Sequence, residues 1–416
     1  MRFLLRTYGC RANHYDSEAV RSMLMSSGAE EAEDAGDADV AVFNSCSVTA
    51  AAEAELRKDV RRAARANPGL RTIVMGCAPG LTHRDEFRNP LQALPTVSDT
   101  IVGADLESVA SALGLSAQMA KAPRGTQTGA RALLRIQDGC DEHCTFCMTT
   151  VARGASRSRP PGELVQEAAM LAETHPEIVL TGIHIGSYGS DTGTCLSALV
   201  SQLVESVPSV RFRLSSLEAT EVDDRLRELF ADRRRLAPYL HAPLQSGSDR
   251  VLKRMGRGWY TAGTYESSVE SIVARAGFFG LGADVICGFP GETEDDHRRT
   301  LAMVERLPFT SLHVFPYSPR PGTASLRLGP AVGSEDIRRR CEEIRDISQR
   351  KAHAYKALRY GTEGDVVVTK SGEGLTEDYL PVAVSDPAIR RRARFDAILT
   401  LQAGQLTATP TPIRAA

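Results

Sequence analysis

Apolar runs of strand length alternate with helical stretches through the first eighty residues. Phe3 to Tyr8, Val40 to Asn44 and Thr72 to Gly76 read as strands, and about Asp16 to Ser26 and Ala50 to Ala66 read as helices. Strands separated by single helices pair in parallel, because the crossover returns the chain to the same sheet edge. Every strand of such a sheet ends on one side. Cys10 and Cys46 each follow a strand by two residues and Cys77 follows the third directly, so three distant cysteines are expected at one edge, where open α/β sheets bind ligands.

The stretch SAQMAKAPRGTQTGA, residues 116–130, lacks apolar periodicity and reads as a linker. Six further strands are expected beyond it, at Leu133 to Gln137, Glu177 to Thr181, Val210 to Leu214, Pro238 to Ala242, Gly282 to Cys287 and Ser311 to Phe315, with helical stretches between. Repeated βα units of this kind make a barrel, and six instead of eight make it partial. Barrel chemistry belongs just after the strands, where Cys140, Gly182, His184, Ser216, Glu218, Gln245 and Gly288 stand. A charged amphipathic helix, Ser334 to Leu358, closes this unit. Gly364 to Lys370, Tyr379 to Val384 and Phe395 to Leu401 then predict a small antiparallel β-barrel, followed by a frayed tail TATPTPIRAA. The fold class is therefore α/β, divided into a parallel α/β domain (1–118), a partial (β/α)6 barrel (130–358) and a β-barrel (359–408).

With 42% hydrophobic and 25% charged residues the chain carries enough apolar surface for real cores. The net charge of -2 argues against a uniformly basic nucleic-acid binder, while leaving local patches open. The run Arg390, Arg391, Arg392 with Arg394 is such a patch, suited either to RNA phosphates or to a solvated turn. No apolar run reaches the roughly 18 residues of a membrane span, and MRFLLRTYGC offers no cleavage site, so a cytoplasmic location without membrane contact is expected.

Nine cysteines are an odd number and too few for a disulfide scaffold, which favours metal or catalytic roles. In RIQDGCDEHCTFCMTTVARG, Cys140, Cys144 and Cys147 share one short loop. Three thiolates hold three irons of a 4Fe-4S cluster and leave the fourth open to chelate S-adenosylmethionine. Zinc with His143 as fourth ligand is the competing reading, weakened because His143 and Cys144 are adjacent and hard to aim at one tetrahedral ion. Arg153, just beyond, suits a cofactor or substrate carboxylate, or a surface acid. Cys195 and Cys341 are expected on helices as structural thiols and Cys287 in a strand core; Trp259 is given no chemistry.

The loop resembles the signature of the radical S-adenosylmethionine superfamily. Together with TYGCRANHYDSE, NSCSVT, LTGIHIGSYG, RLSSLEATE, HAPLQSGSDRVLKRMGR and DVICGFPGETEDD, it makes nearly the whole chain similar to the methylthiotransferases. The resemblance implies two 4Fe-4S clusters, one on Cys140, Cys144 and Cys147 and the other, handling the inserted sulfur, on Cys10, Cys46 and Cys77, with a C-terminal TRAM domain. It implies that Phe146 lies near the adenine of S-adenosylmethionine, unless it only packs the barrel. Gly182 and Gly288 would admit the cofactor, and Ser216, Glu218 and Gln245 would hydrogen-bond it or else cap helices.

YDSE after Cys10, SGSD, HVFPYS and GLTEDYLPV look most like the branch that converts N6-threonylcarbamoyladenosine in tRNA to its 2-methylthio derivative. Isopentenyladenosine is the alternative nucleoside, and an aspartate of a ribosomal protein a third target. The partners implied are tRNA and an electron donor such as flavodoxin or ferredoxin. A non-catalytic RNA-binding iron–sulfur protein is the reading from another class. APG after Cys77 and MTTV after Cys147 depart from the family pattern and put substrate fit in question more than thiolate ligation.

Overall fold

The computed structural model describes residues 1–47, 50–82, 91–121, 125–402 and 405–411. Strand β1 (Arg2–Thr7) leads into helix α1 (Arg11–Ser26), the short β2 (Glu30–Glu31), β3 (Val40–Ser45), α2 (Ala50–Ala66), β4 (Arg71–Gly76), α3 (Cys77–Thr82), β5 (Val97–Val102) and α4 (Leu106–Ala112). The strands form one sheet in the order β2-β1-β3-β4-β5, with β1, β3 and β4 in parallel register. Alternate residues face opposite sides. Phe3, Leu5, Val42 and Ile73 pack under α1 and α4, and Leu4, Phe43 and Val74 pack under α2. Each fully buried side chain such as Leu56 or Phe43 stabilises the unit by about 1.5–3 kcal/mol. β5 escapes the sequence pattern because it is an edge strand in which only Ile101 is buried.

The expected linker is more ordered than its composition implies. Ala117–Lys121 form a 3-10 turn, Met119 packs on the core under α1, and Gln127 exchanges two hydrogen bonds with the backbone of Leu133, at 2.7 and 2.8 Å.

The chain continues through β6 (Ala132–Arg135) and β7 (Gln137–Asp138), then α5 (Thr149–Arg153) and β8 (Arg157–Ser158), which pairs back on β7. There follow α6 (Pro161–Ala172), β9 (Glu177–Thr181), α7 (Leu196–Ser206), β10 (Arg211–Leu214), α8 (Asp224–Leu229), β11 (Tyr239–His241), α9 (Asp249–Arg254), α10 (Ala262–Val273), β12 (Gly280–Cys287), α11 (Glu294–Arg306), β13 (Ser311–Pro316) and α12 (Ser334–Leu358). Six of these strands build the partial barrel, as two parallel sheets, β6-β9-β10 and β11-β12-β13. Single bridges, Phe212 with Leu236 and Ser216 with His241, join the halves. Among the described residues β6 and β13 do not pair, so the barrel stays open between them. Cys287 and Cys341 are buried as expected, whereas Cys195 is exposed and precedes α7, because the helix starts at Leu196. No helix among the described residues is long and apolar enough to cross a membrane.

The last unit is a closed barrel of β14 (Glu363–Lys370), β15 (Glu373–Leu375), β16 (Pro381–Val384), β17 (Arg394–Gln402) and β18 (Gln405–Pro410). The seam between β16 and β18 is parallel, a departure from the purely antiparallel expectation. Closing an odd number of alternating strands forces one such seam. Thr407 to Pro410, expected to fray, belong to β18, and Thr407 and Ala408 are buried. Residues 412–416 lie outside the described residues. This barrel seats on the lower end of the larger one: Arg211 donates to the Asp365 carbonyl at 2.8 Å and Arg213 to that of Thr376 at 3.1 Å.

Candidate active site

Parallel register brings the first three cysteines together at one sheet edge. Cys10 precedes α1, Cys46 follows β3 and Cys77 opens α3. The thiols of Cys10 and Cys77 both lie 3.9 Å from Asn13 Oδ1. Gly9, at φ +96°, lets the loop of Cys46 approach; a Cβ there would lie 2.6 Å from that of Cys46. Burial pushes the Cys77 thiol up to about 11, although Arg153 opposes this with Nε 3.3 Å from the sulfur. Arg153 is neither a surface ion pair nor free for a carboxylate ligand. It is buried, with Nη1 3.0 Å from Asp16 and 3.3 Å from Asp138, and it joins the first sheet to the partial barrel.

The second triad sits on the loop between β7 and α5. The Cys140 amide donates to the Gly154 carbonyl at 3.0 Å, and Thr145 donates to the carbonyls of Met255 and Arg254, each at 2.9 Å. Gly139, at φ +75°, turns the chain where a Cβ would overlap the Ala155 carbonyl. Cys140, Cys144 and Cys147 line a cavity of about 190 Å³. Burial raises the Cys144 thiol to about 12, against the pull of Arg257, whose Nη1 lies 3.5 Å away. Burial works against a charge on His184, but Cys140 and Glu221 outweigh it and lift this residue to about 10.

Phe146, Ser216, Glu218 and Gln245 all line the cavity. Phe146 also packs edge-on to Phe289, at 6.3 Å. Gln245 has φ +59°, a backbone conformation that costs energy outside glycine and tends to occur at functional sites. Glu218 is already engaged, because Trp259 Nε1 donates to it at 2.6 Å and Arg257 pairs with its other oxygen. Gly182 stands behind the wall, where a Cβ would meet Gln137 and Ile185 at 2.9 Å; its neighbour Ile183 reaches the cavity. Gly288 is not on the wall. Its positive φ and missing Cβ make room for Ile337 of α12, so its role in the structure is packing. Sequence reasoning passes over Arg257 and gives Trp259 no chemistry, whereas the structure sets both on Glu218; their neighbouring positions in GRGWY, ahead of a helix, are the local signal of them.

The segments of APG and MTTV, which depart from the family pattern, meet in the structure. Cys77 and Leu81 pack against Met148 and Ala152, and a Cβ on Gly80 would lie 2.8 Å from the Ala152 carbonyl. The two departures thus form one interface.

A single zinc ion would hold thiolates about 3.8 Å apart, given bonds near 2.3 Å. Among the described residues neither cysteine triad has its three sulfurs within 4.8 Å of one another. That wider spacing fits thiolates bound to separate irons of a cluster.

The arginine run is largely occupied by protein contacts. Arg394 pairs with Asp365, its Nε donating at 2.8 Å, while Arg391 and Arg392 donate to the carbonyls of Thr128 and Gln127. Arg390 and Arg391 are exposed.

Residues 2–103 match the uncharacterized protein family UPF0004, and residues 134–304 match the radical SAM superfamily. A threonylcarbamoyladenosine tRNA methylthiotransferase MtaB of Aquifex aeolicus is 31% identical over 407 residues, covering 92% of this chain and 96% of the relative. Its counterpart in Thermotoga maritima is 33% identical, covering 87% and 85%. A tRNA-2-methylthio-N(6)-dimethylallyladenosine synthase of Erythrobacter litoralis is 31% identical, covering 89% and 87%. Among solved structures, the radical S-adenosylmethionine methyltransferase TsrM of Kitasatospora setae shares the fold, with a TM-score of 0.55 at 13% identity over 76% of this chain and 72% of that one.

Proposed function

The chain belongs to the radical S-adenosylmethionine methylthiotransferases, and on that premise we propose that it methylthiolates carbon 2 of N6-threonylcarbamoyladenosine in tRNA. The observation that carries the reading is the presence of two separate thiol triads, one at the edge of the first sheet and one in the mouth of the barrel. Cys140, Cys144 and Cys147 would hold one 4Fe-4S cluster beside S-adenosylmethionine, and Cys10, Cys46 and Cys77 a second. When bound, these groups supply the electron, the radical and the sulfur.

The chain's own residues bind, orient and neutralise. Arg153 and Arg257 each set a guanidinium beside one thiol, Cys77 and Cys144, where it would offset the charge of a bound cluster. Ser216 and Gln245 offer hydrogen-bonding groups in the cavity and Phe146 a ring for the adenine of the cofactor. Glu218, fixed by Arg257 and Trp259, supplies a rigid acceptor. The three units, 1–118, 130–358 and 359–408, would divide sulfur delivery, radical formation and tRNA binding, with a flavodoxin or ferredoxin as electron donor in the cytoplasm.

A relative named for dimethylallyladenosine is as similar in identity, at 31%, as one named for the threonylcarbamoyl nucleoside. The motifs YDSE, SGSD, HVFPYS and GLTEDYLPV favour the second. Mass spectrometry of tRNA nucleosides from a strain lacking this protein tests the reading. Loss of 2-methylthio-N6-threonylcarbamoyladenosine, restored on complementation, supports it; loss of a methylthiolated isopentenyl nucleoside instead would overturn it.

A further inference from the structure

Parallel barrels usually fill their interior with Val, Ile and Leu. This one does not. Residues two apart on a strand share a face, and β11, β12 and β13 carry Tyr239, His241, Asp284, His313 and Phe315 on the face turned into the barrel. Asp284 Oδ1 lies 3.0 Å from His241 Nε2 and 3.3 Å from His313 Nδ1, and the two imidazoles are 5.0 Å apart. Gly282 leaves the space between them and Tyr239; a Cβ there would lie 2.7 Å from the Tyr239 hydroxyl and 2.8 Å from His241 Nδ1.

The group extends into the other two units. Tyr379 stacks on Tyr239 at 4.4 Å, and Arg11 donates to the Tyr379 hydroxyl at 2.9 Å. The same face reaches the thiolate cavity at its other end, because Ile286, two residues beyond Asp284, packs in one cluster with Phe146. Although both lie on a strand, the His313 side chain is 62% exposed and Phe315 is 43% exposed. They stand on β13, beside the opening that the missing pairing with β6 leaves. A polar floor with an uncovered aromatic, beside the cavity residue Gln245 whose amide donates to the Asp284 carbonyl at 2.8 Å, is a binding surface for a flat polar ligand.

His241, Asp284 and His313 also have ligand atoms within 4.8 Å of one another, as a divalent ion would require. The surrounding charge disfavours a cation. Arg11 faces His313, Arg131 and Arg213 lie over the Tyr379 ring at 5.4 and 5.1 Å, and Asp284 already bonds both imidazoles. Glu177 is matched by Arg211, Arg213 and Arg131, which leaves Arg11 as the cation facing the opening without a carboxylate partner among the described residues. The hydrogen bond to Asp284 raises His313, which favours its charged form.

We propose that this face holds the target nucleoside, with Phe315 against the adenine and Arg11 and His313 on the carboxylate of its N6 substituent, so that these two residues select an acidic N6 group over an apolar one. The proposal rests on the functional reading above and adds the residues that discriminate.

The test uses full-length protein with reconstituted clusters and two tRNA preparations that differ only in the N6 group, threonylcarbamoyl or isopentenyl. KM and kcat for methylthiolation are measured for the wild type, Arg11→Gln, Arg11→Lys and His313→Gln. Iron content is determined in each, because Arg11 adjoins Cys10. Arg11→Gln is expected to raise KM for the threonylcarbamoyl tRNA roughly tenfold to a hundredfold, the effect of losing a hydrogen bond to a charged group. Arg11→Lys should recover most of it. His313→Gln, remote in sequence from both triads, should raise KM in the same direction with iron unchanged. A wild type active on threonylcarbamoyl tRNA, with Arg11→Gln and His313→Gln both keeping its KM, overturns this inference alone. A wild type active only on isopentenyl tRNA overturns the functional reading and this inference together.

Discussion

Arg153 donates through Nε to the Cys77 thiol at 3.3 Å, although Cys77 opens the helix after a strand of the first sheet and Arg153 ends the helix after the barrel's cysteine loop. The same guanidinium pairs with Asp16 at 3.0 Å, with neither side chain exposed. Arg153 therefore ties the first thiol triad to the helix that follows the second.

Arg153→Met should cost about 3–5 kcal/mol, the usual penalty for leaving a buried charge without its partner. Arg135, the second partner of Asp16, places the result toward the lower end. Denaturant unfolding of anaerobic protein measures it. In the double variant with Asp16→Asn, part of the loss should return; additive costs would mean that the pair is not coupled.

Purified anaerobic protein should bind about eight irons if each triad holds one 4Fe-4S cluster. Replacing Cys140, Cys144 and Cys147 by Ala should leave roughly half. Replacing Cys10, Cys46 and Cys77 should also leave half, keep the cleavage of S-adenosylmethionine to 5′-deoxyadenosine, and stop methylthiolation. Full product from that second triple variant would mean the sulfur arrives by another route.

What the sequence reveals depends on how local the signal is. Glu177 to Thr181 is an apolar run bounded by turns, and Ser334 to Leu358 is a long amphipathic stretch; both elements match their expected limits. The first cysteine triad is legible because strand ends in a parallel sheet share an edge, and the second because its members share one short loop. β15 and β18 are not, since EGL and QLTATP lack an apolar run and gain order only by closing the barrel. Gly288 misleads because a glycine required for packing against Ile337 looks, in sequence, like one required by a ligand. Trp259 on Glu218 and Arg153 on Cys77 are long-range pairings, which no local pattern announces.

Trp259→Phe keeps the ring and removes the donor to Glu218. With Arg257 still in place, the carboxylate gains freedom at the cavity wall, and S-adenosylmethionine should bind roughly tenfold more weakly, a typical loss for a hydrogen bond to a charged group. Equilibrium binding to the reconstituted protein checks this. Unchanged affinity would show that Arg257 alone holds Glu218.

The arginine run should divide in two. Neutralising exposed Arg390 and Arg391 is expected to reduce the dependence of log affinity for tRNA on log salt by roughly one for each phosphate left without its arginine. Arg394→Gln should leave that slope unchanged and lower thermal stability, because it breaks the pair with Asp365 at the seat of the small barrel. A slope that responds to Arg394 and not to the exposed pair would reverse the assignment.

The most direct test is the reaction itself. Reconstituted protein is incubated anaerobically with S-adenosylmethionine, a reductant and tRNA bearing N6-threonylcarbamoyladenosine, and the digested nucleosides are quantified by mass spectrometry. The account predicts that N6-threonylcarbamoyladenosine disappears one for one with the appearance of its 2-methylthio derivative. Formation of 5′-deoxyadenosine with the nucleoside untouched, while isopentenyladenosine in a parallel sample is methylthiolated, would contradict it.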